Sequence, residues 1–205
     1  MNVARILYPI EVLGPGKRLG IWLVGCYRKC PKCSNPELWE KKSYYEVNLE
    51  DLLKIIMPIL IQRHVDGIII TGGEPFNQAE ELAVLLKSLE KYNDDIMVYT
   101  GYTLEELKDA DIFTKECLEH IGVLIDGPYI DAFNNGVAMR GSYNQRVHIF
   151  KRSLKPKYEV YLSSCNNLIQ NFITQDGIVS VGIHKRNFKE ELTEKSRKKG
   201  VIYNG

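Results

Sequence analysis

Three cysteines, Cys26, Cys30 and Cys33, stand in the segment Gly25-Cys26-Tyr27-Arg28-Lys29-Cys30-Pro31-Lys32-Cys33, directly after the apolar run Leu19–Val24. Thiolates are soft ligands that suit zinc and iron–sulfur centres. Three at this spacing can hold one face of a metal centre. A closed tetrahedral zinc site needs a fourth ligand, and a [4Fe–4S] cluster is ordinarily held by four cysteines. The loop therefore implies either a distant fourth ligand or an iron left open to a small molecule. Cys117, in a helical stretch, and Cys165, in a turn-rich one, are isolated and read as spare thiols. His64, His120, His148 and His184 are scattered, with no ligand pairing, and read as surface or core residues.

A second group of unusual residues follows short apolar runs. Thr71-Gly72-Gly73-Glu74-Pro75 comes after Asp66–Thr71, Thr100-Gly101-Tyr102 ends Ile96–Thr100, and Asp126-Gly127-Pro128 follows Gly122–Ile125. Such continuous runs are typical of strands buried on both faces. Glycines let a backbone approach a ligand closely, with N–H and C=O groups exposed to it; a plain strand-to-helix turn would use the same residues. Asp126 is divided in the same way between a role at a ligand, through a cation or polar network, and a helix-cap or turn role. Gly14-Pro15-Gly16-Lys17 lacks the strand-before, helix-after context of a nucleotide loop and reads as a turn.

The elements that must position these residues alternate. Asn48 and Asp51 mark a helix start, and Leu49–His64 repeats apolar residues at helical spacing around Pro58. Gln78–Tyr92 places Leu82, Leu85, Leu86 and Leu89 on one side of a helix. Thr103–His120 reads as one more helical stretch. With Leu19–Val24 as the strand that feeds the cysteine loop, this is the pattern of repeated βα units and a parallel sheet. Ligands gather at the carboxyl ends of such strands, where the unusual residues lie.

After about Tyr129 the pattern changes to short strand-like pieces, Arg146–Phe150, Leu168–Thr174 and Ile178–Ile183, with Asp176-Gly177 as a hairpin signal. Asn187 with Glu190 predicts a helix cap, Gly200 a helix end, and Lys195–Lys199 a basic patch that complements the helix dipole. There is no repeat or linker, so residues 1–205 read as a single domain with a core of about 16–150 and a C-terminal extension of about 151–205. A chain of 205 residues can bury a substantial core, and a net charge of +1 argues for neither nucleic-acid nor membrane binding. The apolar segment Leu52–Ile61 is interrupted by Lys54 and Pro58 and is too short to span a bilayer. Five cysteines, three crowded into one loop, suit a reducing cytoplasm and metal chemistry better than a disulfide framework.

The Cys-x3-Cys-x2-Cys loop after an N-terminal strand resembles the signature of radical S-adenosylmethionine (SAM) enzymes, and Gly72-Gly73-Glu74 resembles that family's glycine-glycine-glutamate motif. Within the superfamily, several segments resemble the small activators of anaerobic ribonucleotide reductase. They are Ile21–Cys26, Cys30-Pro31-Lys32-Cys33-Ser34-Asn35-Pro36-Glu37-Leu38-Trp39, Val98–Thr103, Val123–Tyr129 and Arg140–Arg146. Together they span roughly residues 16–150.

The resemblance implies an α/β fold, an incomplete (β/α) barrel of the radical SAM type with a short C-terminal β-hairpin and helix. It implies a [4Fe–4S] cluster on Cys26, Cys30 and Cys33, with SAM chelating the fourth iron. Reductive cleavage of SAM to methionine and a 5′-deoxyadenosyl radical would then generate a glycyl radical on a client enzyme, anaerobic ribonucleotide reductase. The implied cofactor-binding residues are Lys32, Cys33, Ser34, Gly72, Gly73, Glu74, Thr100 and Asp126. The residue before the third cysteine is often aromatic in the superfamily. Lys32 cannot stack on adenine, but the main chain of Lys32, Cys33 and Ser34 can still meet the base edge. An electron donor such as flavodoxin or a ferredoxin-like protein is implied as a second partner. A different glycyl radical enzyme or peptide as client, and a zinc-binding interaction protein, remain open at this point.

Overall fold

The computed structural model describes residues 1–164, 167–174 and 177–198. Six strands form one sheet in chain order: β1 (Val3–Ile10), β2 (Arg18–Leu23), β3 (Gly67–Gly72), β4 (Ile96–Tyr99), β5 (Val123–Asp126) and β6 (Arg146–Ile149). Strands β2 to β5 are parallel, while the edge strands are antiparallel, β1 to β2 and β6 to β5. The fold is α/β with a mostly parallel sheet.

The apolar runs alternate between two cores. Leu19, Ile21, Leu23, Ile68, Ile70, Ile96, Val98 and Leu124 face one side, against α1 (Leu49–Gln62), α2 (Ala79–Glu90), α3 (Leu104–Lys108) and α4 (Ile112–His120). Trp22, Val24, Ile69, Met97, Val123 and Ile125 face the other. Each fully buried aliphatic side chain contributes about 1.5–3 kcal/mol to this arrangement. Because both faces are dry, polar residues concentrate at the strand ends.

The helical stretch expected over Thr103–His120 is two helices. Thr103 and Glu106 form a capping box on α3. Asp111 then starts α4 afresh by accepting from the Thr114 N–H at 2.9 Å. A side-chain oxygen at this position satisfies an amide that a continuous helix would have used itself.

The second core is filled by the C-terminal extension, which comprises α5 (Lys155–Ser164), the antiparallel pair β7 (Ile169–Thr174) and β8 (Gly177–Gly182), and α6 (Phe188–Lys198). Leu154, Tyr158 and Val181 are buried there among Trp22 and Met97. The two strands pair from Ile169↔Gly182 to Thr174↔Gly177, the hairpin expected; Asp176 lies outside the described residues. So do Cys165, Lys199 and Gly200. Asn187 has φ +61, a left-handed backbone and not the extended one of a capping residue, so the cap expected there does not form in that way. The basic last turn of α6 is present as Lys195, Arg197 and Lys198.

At the amino ends of the parallel strands, α5 is locked to the sheet by a buried ionic network. Arg18, fully buried, donates from Nη2 to Asp95 Oδ1 at 2.8 Å and from Nη1 to Oδ2 at 3.1 Å. Tyr158 Oη donates to Asp95 Oδ1 at 2.5 Å and Lys157 Nζ to Oδ2 at 2.7 Å. Burial pushes the Asp95 pKa up, and the cations and hydrogen bonds outweigh it, so the carboxyl stays below its usual range. Removing one member leaves a buried charge unpaired. Asp95→Ala is therefore expected to lower unfolding free energy by about 3–5 kcal/mol, read as a shift in the urea midpoint at constant slope. A loss below about 1 kcal/mol, the scale of a solvated pair, would show that the network is not a structural anchor.

Candidate functional site

A cavity of about 190 Å³ opens at the carboxyl ends of the parallel strands. Every parallel strand delivers residues to it: Cys26, Cys30 and Cys33 after β2, Gly72-Gly73-Glu74 at the end of β3, Tyr99-Thr100-Gly101 at the end of β4 and Gly127 after β5. The cysteine loop is held at its base by main-chain hydrogen bonds. Gly73 N donates to Leu23 O at 2.8 Å, Glu74 N to Gly25 O at 2.8 Å, Gly25 N to Leu38 O at 2.9 Å and Cys26 N to Trp39 O at 2.9 Å. Gly72 (φ +114) and Gly73 make this contact possible. A Cβ on Gly72 would lie 2.2 Å from Leu23 O, and one on Gly73 would lie 2.6 Å from Gly25 O. A side chain at Gly73 would displace the cysteine loop itself.

Glu74 ties the end of β3 to the end of β4. Its carboxylate accepts from Thr100 Oγ1 at 2.8 Å, from Gly101 N at 2.7 Å and from Phe76 N at 3.2 Å. Burial pushes its pKa up to about 7 against these donors and the nearby Arg28 guanidinium. Arg28, between the first two cysteines, lies over the Tyr102 ring at 4.5 Å, a cation–π contact.

The donor set fits an anionic iron–sulfur centre. All three loop cysteines line one cavity and are free thiols. Burial pushes the Cys33 thiol up, and the neighbouring Cys30 and Cys26 charges add to this. The Asn35 N–H, 3.4 Å from Cys33 Sγ, and the Trp39 indole oppose it. Trp39 Nε1 and Arg28 Nε are buried without a hydrogen-bond partner, and both residues line the cavity. The indole thus lies near Cys33 without a formed bond to it. Unused donors on residues that line the same cavity as the thiols suit a sulfur-rich anion. Among the described residues no three Cys, His, Asp or Glu side chains stand close enough to enclose a single ion.

Of the residues singled out from the sequence, Cys26, Cys30, Cys33, Ser34, Gly72, Gly73, Glu74 and Thr100 share this cavity. Lys32 does not line it. Its side chain is exposed and pairs with Asp131 at 3.6 Å. Asp126 is also outside the lining. It accepts from Leu104 N at 2.7 Å, at the start of α3, and binds Arg146 Nε at 3.1 Å and Nη2 at 2.5 Å. Its pKa is raised by burial and lowered more strongly by Arg146, Leu104 N–H and His148. The helix-start and polar-network roles both describe this carboxylate. Cys117 sits in the core on α4, its thiol pushed up to about 12 by burial and donating to Ala79 O at 3.4 Å. Sequence reasoning passed over Arg28, Trp39 and His184 as lining residues, and the whole wall from Ser180 to His184.

The sheet and its three-cysteine cavity define a protein with the donor set for one sulfur-ligated centre. A family model described as a 4Fe-4S single cluster domain matches residues 12–148. The anaerobic ribonucleoside-triphosphate reductase-activating protein of Vibrio cholerae serotype O1 is 36% identical over 152 residues, covering 70% of this chain and 95% of that protein. The protein of the same name from Enterobacteria phage T4 is 32% identical over 152 residues, covering 72% and 93%. The pyruvate formate-lyase-activating enzyme of Clostridium pasteurianum is 26% identical over 122 residues, covering 51% of each. The chain belongs to the family of anaerobic ribonucleoside-triphosphate reductase-activating proteins.

The raised Glu74 pKa has a consequence for stability. Below pH 4.5 the carboxyl is protonated folded and unfolded, and its contribution is fully present. As pH rises, the unfolded chain releases the proton near 4.5 and the folded chain only near 7. Stability should therefore fall across that window, by up to about 3 kcal/mol from this group. Glu74→Gln should flatten the fall when urea unfolding is followed against pH. An unchanged slope in the variant would show that Glu74 is ionised in the folded protein throughout.

Proposed function

We infer that this protein is a radical SAM activase that installs a glycyl radical on anaerobic ribonucleotide reductase. The observation that carries the reading is the shared cavity, in which three thiols of one loop face the glycine-rich end of β3 in a chain of the activating-protein family. Cys26, Cys30 and Cys33 would hold three irons of a [4Fe–4S] cluster and leave the fourth to the amino and carboxylate groups of SAM. When bound and reduced by a one-electron donor such as flavodoxin or a ferredoxin-like protein, the cluster would supply the electron for cleaving SAM, and with it the means to remove the α-hydrogen of a client glycine.

The chain's own residues bind and align. The main chain at Gly72 and Gly73 offers polar groups to the SAM amino group. The main chain of Lys32, Cys33 and Ser34 offers them to the adenine edge. Glu74 and Thr100 act as positioning residues, because their mutual hydrogen bond joins two strand ends of the cavity. Asp126 positions α3 and Arg146. Lys32, paired to Asp131, steadies the loop from outside.

We read the sheet as an incomplete barrel of the radical SAM type and residues 1–205 as one domain, its core about 16–150 and its extension about 151–205. What supports a single domain is the inner core that Tyr158 and Val181 share with Trp22. A cytoplasmic setting suits four free cysteines among the described residues. No helix among the described residues is long and apolar enough to cross a membrane.

The test is anaerobic reconstitution with iron and sulfide, followed by SAM, reductant and the reductase. The expected result is a glycyl radical doublet in the electron paramagnetic resonance spectrum, with 5′-deoxyadenosine as product. Failure to cleave SAM under any of these conditions would sink the enzyme reading. Cys26→Ala, Cys30→Ala and Cys33→Ala are each expected to lose most cluster iron, whereas Cys117→Ala and Cys165→Ala keep it. Iron analysis showing that Cys117 or Cys165 is required would instead indicate a closed, four-cysteine cluster.

A further inference from the structure

One wall of the cavity has no role in this scheme. Ser180, Val181 and Gly182 of β8, with Ile183 and His184 after it, line the same space as the cysteine loop. The family match ends at residue 148. The Vibrio cholerae relative, aligned over 95% of its length, accounts for only 70% of this chain. The wall is thus built by sequence beyond the matched region.

Its geometry is specific. Successive residues of a strand point to opposite faces, so a cavity against one face touches every second residue. Here three consecutive residues of β8 line the cavity, followed directly by two more. A run without alternation is the pattern expected where a strand meets a cavity with its main-chain edge. β7 pairs along one edge of β8, and no further strand joins this two-stranded sheet among the described residues. The hairpin is also firmly seated. Val181 is 3% exposed in the inner core. Gln170 Nε2 donates to Pro9 O at 2.9 Å, and its Oε1 accepts from Glu11 N at 3.0 Å. Asn134 Nδ2 donates to His184 O at 2.9 Å.

We propose that the cavity-facing edge of β8 is the docking strand for the glycine-bearing segment of the client polypeptide, which adds to it as an extended strand. The proposal rests on the activase reading: the hydrogen removed belongs to a main-chain glycine, so the client must bring backbone, not a side chain, into the sulfur-lined cavity. A strand edge recognises backbone directly through its N–H and C=O groups. Edge pairing also sets the client's register, because only alternate residues of an added strand bond to it. The extension thereby positions one glycine of the client relative to the cysteine loop.

The experiment uses the full chain, cluster-loaded and with SAM, and a synthetic peptide that spans the radical-bearing glycine of the anaerobic reductase. Amide hydrogen exchange is followed by mass spectrometry with and without the peptide. Exchange across residues 178–183 should slow at least tenfold when the peptide binds. Two further peptides, N-methylated on the two alternate sets of backbone amides, should differ in affinity at least tenfold, because one set faces β8 and the other does not. Equal affinities, or a bound peptide that leaves β8 unprotected, would overturn the proposal. So would protection of β8 that grows with concentration of the protein alone, which would assign the edge to a second copy of this chain. If the peptide does not bind and the intact reductase gains no radical, the activase reading falls with it. If the reductase gains its radical while β8 stays unprotected, only the docking strand is wrong.

Discussion

The site depends on the close approach of two main chains at the carboxyl ends of β2 and β3. Gly73 and Glu74 donate their amides to Leu23 and Gly25, on the approach to Cys26, while Gly25 and Cys26 donate to Leu38 and Trp39 on the loop's return. The loop is thus tied to the sheet on one side and to its own far end on the other. A Cβ at Gly72 or Gly73 would stand in backbone atoms that cannot move without moving the loop. The glycine pair therefore serves two purposes at once. It holds the cysteine loop in place and lines the cavity.

The rest of the fold keeps that contact in register. Burial on both faces of β2 to β5 leaves the strands no room to slide, because a shift of one residue would exchange the two cores. At the amino ends, Arg18 and Asp95 join β2 and the start of β4 to Tyr158 of α5. At the carboxyl ends, Glu74 joins β3 to the Thr100-Gly101 turn, and Asp126 joins β5 to the start of α3. Buried carboxylates with several donors each thus link the strand ends. Side chains in between are apolar, so buried polar groups are confined to the two ends of the sheet.

Much of this was legible in the sequence, for physical reasons. Two-sided burial writes parallel strands as unbroken apolar runs, so Ile68–Ile70 and Val123–Ile125 stand out. Leu82, Leu85, Leu86 and Leu89 announce α2 because one helix face meets the sheet. The cysteine and glycine motifs are local in sequence and come together because β2 and β3 are parallel neighbours. What was hidden depends on distant partners. α5 shows only Tyr158, Tyr161 and Leu162 at helical spacing, and its place is set by Asp95 more than sixty residues earlier. Asp126 could be assigned only once Leu104 and Arg146 were seen to flank it. Arg28 looks like an ordinary loop residue until its Nε is seen buried without a partner in the cavity wall. The wall from Ser180 to His184 carries no motif, because a main-chain edge has no side-chain signature.

On the activase reading, a radical made at the sulfur-lined cavity takes hydrogen from a glycine of another polypeptide. Deuterium placed at the α-carbon of the reductase glycine tests this directly. The account predicts that deuterium appears in 5′-deoxyadenosine when the reduced, cluster-loaded protein acts on the labelled reductase with SAM. A glycyl radical formed with unlabelled 5′-deoxyadenosine as the product would contradict direct transfer at this cavity.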